Sequence, residues 1–144
     1  MNKSKKRAFE IIRHHNENID KLNDIVKSIV LVGSLSDNSY TGNAGSDIDI
    51  IHILKDSASK ESRDLVYQCI EKTEEETSRD IPISKCIYRY SDLFHPYKTD
   101  FEICVKNKDL IELPIEIFRM IDSGKIIFGD EIITDIPLPT RDDV

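Results

Sequence analysis

Two aspartates two residues apart, Asp47 and Asp49, follow a glycine–serine pair, Gly33-Ser34, after twelve intervening residues. Carboxylates at i and i+2 of a strand project from one face a few ångströms apart, and they repel unless a cation offsets them. Hard oxygen donors suit magnesium, and two such ions about 3.5–4 Å apart clamp both oxygens of a phosphoryl displacement. Asp47 and Asp49 are therefore candidate metal ligands and catalytic residues. A glycine at a strand end lets backbone approach a ligand closely. A serine opening a helical turn offers a hydroxyl and backbone N–H groups to phosphate oxygens. Gly33 and Ser34 are thus candidate phosphate contacts. Asp-x-Asp alone is what any half-exposed strand shows; the upstream Gly-Ser is what gives it meaning.

The flanking segments supply elements to hold these groups. Ile29-Val30-Leu31-Val32 is a β-branched-rich run ended by Gly33 and predicts a buried strand. Ser34 to Ser46 is rich in turn formers and predicts a loop with a short helical turn after Ser34. Asp47 to Leu54 predicts a second strand, with Ile48, Ile50, His52 and Leu54 on one face and both aspartates on the other. Ser4 to about Ser28 carries apolar residues at three- and four-residue steps and predicts an amphipathic helix. Ser59 to Thr77 predicts another, with Leu65, Val66, Cys69 and Ile70 on its stripe and the acidic run Glu71–Glu76 as a solvated end.

Ile83 to Tyr90 predicts a third strand, on which Tyr88 and Tyr90 share a face and serve either core packing or base stacking. Phe101 to Val105 is either a short strand or the start of a helix. Leu110 to Ile121 predicts a helix, with Pro114 in its first turn or at a kink, ended by Ser123-Gly124 before a short strand, Lys125 to Gly129. His14-His15 reads as a solvated pair, and His52 as a packed residue opposite the aspartates.

The chain has 144 residues, 39% hydrophobic and 33% charged, which predicts one soluble globular domain over residues 1–136 and an extended tail over 137–144. No run approaches a membrane span and no apolar block follows the basic N-terminus, so the reading is cytoplasmic with no membrane partner. A net charge of -7 argues against a broad grip on nucleic-acid backbone. Cys69, Cys86 and Cys104 are widely spaced and read as ordinary buried thiols, neither a zinc site nor a disulfide framework.

Val32-Gly33-Ser34, twelve residues, then Asp47-Ile48-Asp49-Ile50 resembles the signature of the DNA polymerase beta-like nucleotidyltransferase superfamily. The ending Asp122 to Gly129 resembles the helix-to-strand close of its small members. The resemblance implies an α/β (α+β) fold, a small mixed sheet flanked by helices. It implies that Gly33 and Ser34 hold a nucleoside triphosphate while Asp47 and Asp49 bind magnesium, two ions in a fully active enzyme. A nucleoside monophosphate would pass to an acceptor hydroxyl, on a small molecule, an RNA end or a protein, with release of pyrophosphate. The alternative is a catalytically weakened module that binds nucleotide or a partner protein, as antitoxins of this family do. A homodimer that completes the cleft is also open.

Two departures stand out. Active members place a third carboxylate on the third strand, where this chain has Ser84 or Cys86; Asp100 or Glu102 is the remaining source. Many relatives carry an arginine just after Gly-Ser, whereas Ser28 to Leu54 holds no Lys or Arg, leaving Lys85 or Arg89 as the nearest cations.

Overall fold

The computed structural model describes residues 3–42, 47–99, 101, 103–106 and 109–139. Its centre is β2 (Ile50–Leu54), buried at every position because helices cover both faces of the sheet around it. The remaining elements are α1 (Lys3–Ile19), β1 (Val26–Leu31), the single turn α2 (Ser34–Asp37), α3 (Lys60–Glu76), β3 (Lys85–Arg89), β4 (Ile103–Lys106), β5 (Asp109–Leu110), α4 (Leu113–Ser123) and β6 (Lys125–Gly129). They build a six-stranded mixed sheet in the order β5-β4-β3-β2-β1-β6. Only β2 and β3 run parallel, with α3 as the crossover between them; the other pairs are antiparallel. The mixed α/β architecture is the one the sequence predicts.

Strand alternation divides the core in two. Ile29 and Leu31 of β1, with Ile50 and Leu54 of β2, pack against Ala8, Ile11 and Ile12 of α1 and Val66 and Ile70 of α3. Val30 of β1, with Ile51 and Ile53 of β2, packs against Leu113, Ile117 and Met120 of α4. Each such side chain stabilises the fold by roughly 1.5–3 kcal/mol on burial, and together they pin the register that aims the aspartates.

The first helix is shorter than the predicted Ser4–Ser28. It stops at Ile19, and after a 3-10 turn over Asp20–Leu22 the chain is already a strand at Val26, which pairs with Leu54. Val26 and its neighbours fit a helical stripe by spacing, but their backbone groups find ladder partners in the sheet. Of the run Phe101 to Val105, residues 103–105 lie in strand β4. Pro114 sits in the first turn of α4, where its missing N–H costs nothing.

Three polar readings need correction. Glu74, within the run expected to be solvated, is buried: it accepts 2.7 Å from Lys85 Nζ and 3.1 Å from the Ile83 N–H, tying α3 to the start of β3. Cys86 and Cys104 are not free thiols but a disulfide, because the antiparallel register sets them directly opposite each other on β3 and β4. Cys69 alone is a free thiol, its pKa raised by burial. Thiol titration in denaturant should therefore count one reactive cysteine per chain before reduction and three after; three before reduction would contradict the pairing.

The third correction concerns His14-His15. His14 is at the surface against Glu76, but His15 is buried and its Nε2 lies 2.8 Å from Nε2 of His52, itself buried opposite the aspartates as predicted. The Cys86 carbonyl, 3.2 Å from His52 Nδ1, can only accept, so that nitrogen carries the proton. His52 Nε2 then accepts from His15 Nε2–H, and His15 Nδ1 lies 2.7 Å from the Thr73 hydroxyl, which itself donates to the Cys69 carbonyl at 3.1 Å. Burial, then His52 and His14, pushes His15 well below its ordinary pKa, and burial lowers His52 to about 4 against the weaker opposing effect of the Cys86 carbonyl.

These depressed values make stability depend on pH with a definite sign. Unfolded histidine binds protons below about 6.5 while the folded pair does not, so the contribution is complete above that pH and is lost as pH falls toward 4. For His52 alone the loss by pH 5 is about 2 kcal/mol. Thermal melts should show a midpoint falling steadily from pH 7 to pH 5; a flat profile over that range would rule the buried neutral pair out.

Candidate functional site

The site forms where β1 ends. Gly33 has φ 73° and ψ -152°, a conformation open to glycine and strained for other residues, and it turns the chain from β1 into α2. Its carbonyl accepts from the N–H groups of Ser36 and Asp37, each at 3.0 Å, and Tyr40 N–H bonds the Ser34 carbonyl at 3.1 Å, so the turn folds on itself. The Ser36 hydroxyl donates to the Ser123 carbonyl, clipping α2 to the end of α4. Ser34, half-buried, therefore opens a helical turn as expected.

Asp47 and Asp49 flank Ile48, which bridges to Ile83, and both are only 5% exposed. The Val32 N–H donates to the Asp49 carbonyl at 2.9 Å, fastening the end of β1 to the aspartate segment. Asp49 falls on the α4 side of the sheet, where Arg119 meets it, because Ile48 and Ile50 fill the other side. The buried Tyr40 ring lies near Asp47; burial first, and that carboxylate second, raise its phenol pKa. Asp47 also borders a cleft of about 250 Å³ shared with Tyr67, Pro82, Ser84 and Lys85.

The sequence reading missed the cation at the centre. Arg119 Nη2 donates to Asp49 Oδ2 at 3.0 Å, and its Nη1 donates to Glu116 Oε1 at 3.0 Å. Both carboxylates are nearly sequestered, with side-chain exposures of 6% and 1%. Burial works against the Arg119 charge, but Glu116 and Asp49 outweigh it and the guanidinium pKa is raised. Gly33 seats against this pair: a Cβ there would lie 2.5 Å from Asp49 Oδ2 and 2.7 Å from Arg119 Nη2. Gly33 and Asp49 thus meet as the motif predicts, with the arginine arriving from α4 rather than from the loop.

The cations named from sequence are engaged by other groups, although Lys85 lines the Asp47 cleft. Lys85 is paired with Glu74, and Arg89 lies over the Phe101 ring at 4.5 Å. Tyr88 is fully buried in the α4-side core, and Tyr90 leaves the strand for a 3-10 turn where its ring meets Phe94 edge-on. Of the two third-strand positions, the Ser84 hydroxyl bonds both backbone groups of Ile50 at 3.0 Å, and Cys86 is in the disulfide. Asp100 and Glu102 lie outside the described residues, as do loop residues 43–46 and tail residues 140–144.

Gly33 is seated against Asp49 where β1 ends in a mixed sheet, and comparison gives the family. Residues 12–113 match the nucleotidyltransferase domain, and the chain belongs to that family. No curated protein sequence matches it. Among solved structures, the spectinomycin adenyltransferase of Enterococcus faecialis, crystallised with ATP and spectinomycin, is similar over 92% of this chain at 14% identity and TM-score 0.65. This chain spans 61% of that protein's length. A toxin–antitoxin crystallised with AMP-PNP aligns over 81% of this chain and 74% of its own at 17% identity and TM-score 0.45. A putative nucleotidyltransferase from Sulfolobus solfataricus aligns over 78% and 96% at 14% identity and TM-score 0.38.

Gly33→Ala tests the seating directly. The methyl group meets Asp49 and Arg119 at a backbone angle that disfavours it, so stability should fall by about 1–3 kcal/mol. An unchanged urea midpoint would show that the close approach is dispensable.

Proposed function

We propose that the chain is the catalytic domain of a magnesium-dependent nucleotidyltransferase, moving a nucleoside monophosphate from a triphosphate to an acceptor hydroxyl with release of pyrophosphate. The observation that carries this reading is the seating of Gly33 against the Asp49 carboxylate, in a chain of the nucleotidyltransferase family. The donor set fits magnesium: the two near-buried carboxylates that flank Ile48 supply hard oxygens, and Asp49 already faces a cation. Asp47 and Asp49 would hold the metal, which when bound activates the attacking oxygen and offsets charge on the departing pyrophosphate.

The protein's own groups do the rest. The Gly33 turn brings backbone to the phosphates without a side chain in the way, and Ser34 offers its hydroxyl there. Arg119 supplies the positive charge that the Gly-Ser loop lacks. The adenyltransferase neighbour, crystallised with ATP and spectinomycin, supports ATP as donor and a small hydroxyl-bearing molecule as acceptor. A reaction fed by nucleoside triphosphates belongs in the cytoplasm, and among the described residues no helix is long and apolar enough to cross a membrane.

The second reading, a module that binds nucleotide or a partner protein without efficient transfer, is favoured by the described part of β3, where Ser84 and Cys86 offer no acid. Magnesium–nucleotide binding without turnover in calorimetry would establish it.

Transfer of an α-labelled nucleotide to candidate acceptors is the direct assay. Asp47→Asn and Asp49→Asn should each lower transfer on the order of 10²-fold or more, with far-UV circular dichroism preserved. Transfer at wild-type rates in both variants would sink the proposal.

A further inference from the structure

We infer that Cys86, Cys104 and Glu116 form a zinc site in the reduced protein, between the sheet and α4 and separate from the magnesium ligands proposed above.

The donor cluster is the first support. One ligand atom from each residue, the two sulfurs and a carboxylate oxygen, lies within 4.8 Å of the other two. Tetrahedral zinc spaces its sulfur and oxygen ligands by roughly 3.5–4 Å. Once the S–S bond is opened, the three residues therefore need only side-chain shifts to close on one ion. Two thiolates with a carboxylate suit zinc, whereas magnesium takes oxygen ligands alone. No Cys-x-x-Cys spacing marks the site, because its ligands come from β3, β4 and α4.

Burial is the second. Cys86, Cys104 and Glu116 are 2%, 4% and 1% exposed, so the donors are built into the core rather than gathered at the surface. On the inward stripe of α4, Leu113, Ile117 and Met120 are the residues that packing calls for, and Glu116 brings an oxygen donor to the cysteines instead. Its bond to Arg119 is compatible with a metal. Oε1 accepts from Arg119 Nη1 at 3.0 Å, and carboxylate ligands are held in aim by such outer hydrogen bonds.

Access is the third. Cys104 also borders a cavity of about 410 Å³ with Ile103, Leu110, Ile111 and Glu112. The cavity gives an ion a way in and leaves room for water or the Glu112 carboxylate at the fourth position of the tetrahedron.

The structure holds the two cysteines as a disulfide, and a compartment supplied with glutathione keeps thiols reduced. In the exchange the Cys86–Cys104 bond breaks, two glutathione thiols join as glutathione disulfide, and their protons pass to the cysteine sulfurs. Zinc then binds the thiolates and both protons leave to solvent. The oxidised bond ties β3 to β4, whereas the zinc form ties both strands to α4, the helix that carries Arg119 to Asp49.

The experiment takes the whole chain, reduces it with glutathione, desalts it without oxygen and titrates it with Co²⁺, whose thiolate bonds give a near-ultraviolet charge-transfer band. Wild type should take up one ion with that band, zinc should displace it, and the oxidised protein should show none. Cys104→Ser should lose the two-thiolate band, Cys69→Ser should keep it, and Glu116→Gln should weaken Co²⁺ binding about 10–100-fold. X-ray absorption of the wild-type zinc form should show two sulfurs at about 2.3 Å with oxygen completing the shell, a readout that stands if a variant fails to fold. A reduced wild type without the band overturns the site. So does a band that survives Cys104→Ser or vanishes in Cys69→Ser, a Glu116→Gln variant that binds as tightly as wild type, or a shell of any other sulfur count. None of these readouts uses nucleotide transfer, so the zinc site stands or falls apart from the function proposed above.

Discussion

Everything at the site depends on holding Asp49 and Glu116 on one guanidinium inside the protein. Two carboxylates at 6% and 1% side-chain exposure cannot remain charged there without a partner, and Arg119 reaches both at 3.0 Å. Removing one member of such a pair costs about 3–5 kcal/mol, because the other is left buried and uncompensated. The surroundings are built to that requirement. Gly33 gives up a side chain so that the pair can close, the Ser36–Ser123 bond holds α2 against the end of α4, and Val32 fastens β1 to Asp49.

The two faces of the sheet divide their work accordingly. One carries α1 and α3 and is closed by hydrocarbon and by the His15–His52–Thr73 chain, whose rings burial holds toward the neutral form. The other carries α4 and receives the charges. Parity leading into β2 makes this assignment: a slip of one residue would send Asp49 into the α1 side and Ile48 and Ile50 toward α4. The isoleucines at alternate positions are thus as much a part of the site as the aspartates. Burying them in the α1–α3 core fixes which way the carboxylates point.

What could be read from the sequence follows the reach of each interaction. The meeting of Gly33 with Asp49 was legible because the first follows β1 and the second precedes its neighbour β2, and period-two alternation orients the side chains beside them. The fold class was legible for the same reason. Arg119 was not, since it meets Asp49 across 70 residues and nothing local marks it. Glu116 did leave a trace, a charge inside the Leu113–Ile117–Met120 stripe, and that kind of mismatch between residue type and periodicity is the signal to follow. Cys86 and Cys104 needed the β3–β4 register, and His15 and Glu74 needed the strands beneath them, before their burial could be inferred. The family match itself stops at residue 113, just before these α4 side chains.

The arrangement also bears on the order of events in the proposed reaction. Asp49 Oδ2 is engaged by Arg119, so a divalent ion that takes that oxygen must weaken the pair, and the guanidinium must find other anions in compensation. A triphosphate provides them, and Glu116 retains the other arm of the fork. In the proposed reaction metal and nucleotide would therefore favour each other's binding through one side chain, a coupling that must be reciprocal in free energy. In the structure the same arginine keeps the buried aspartate paired, so the fold holds its own charges in balance.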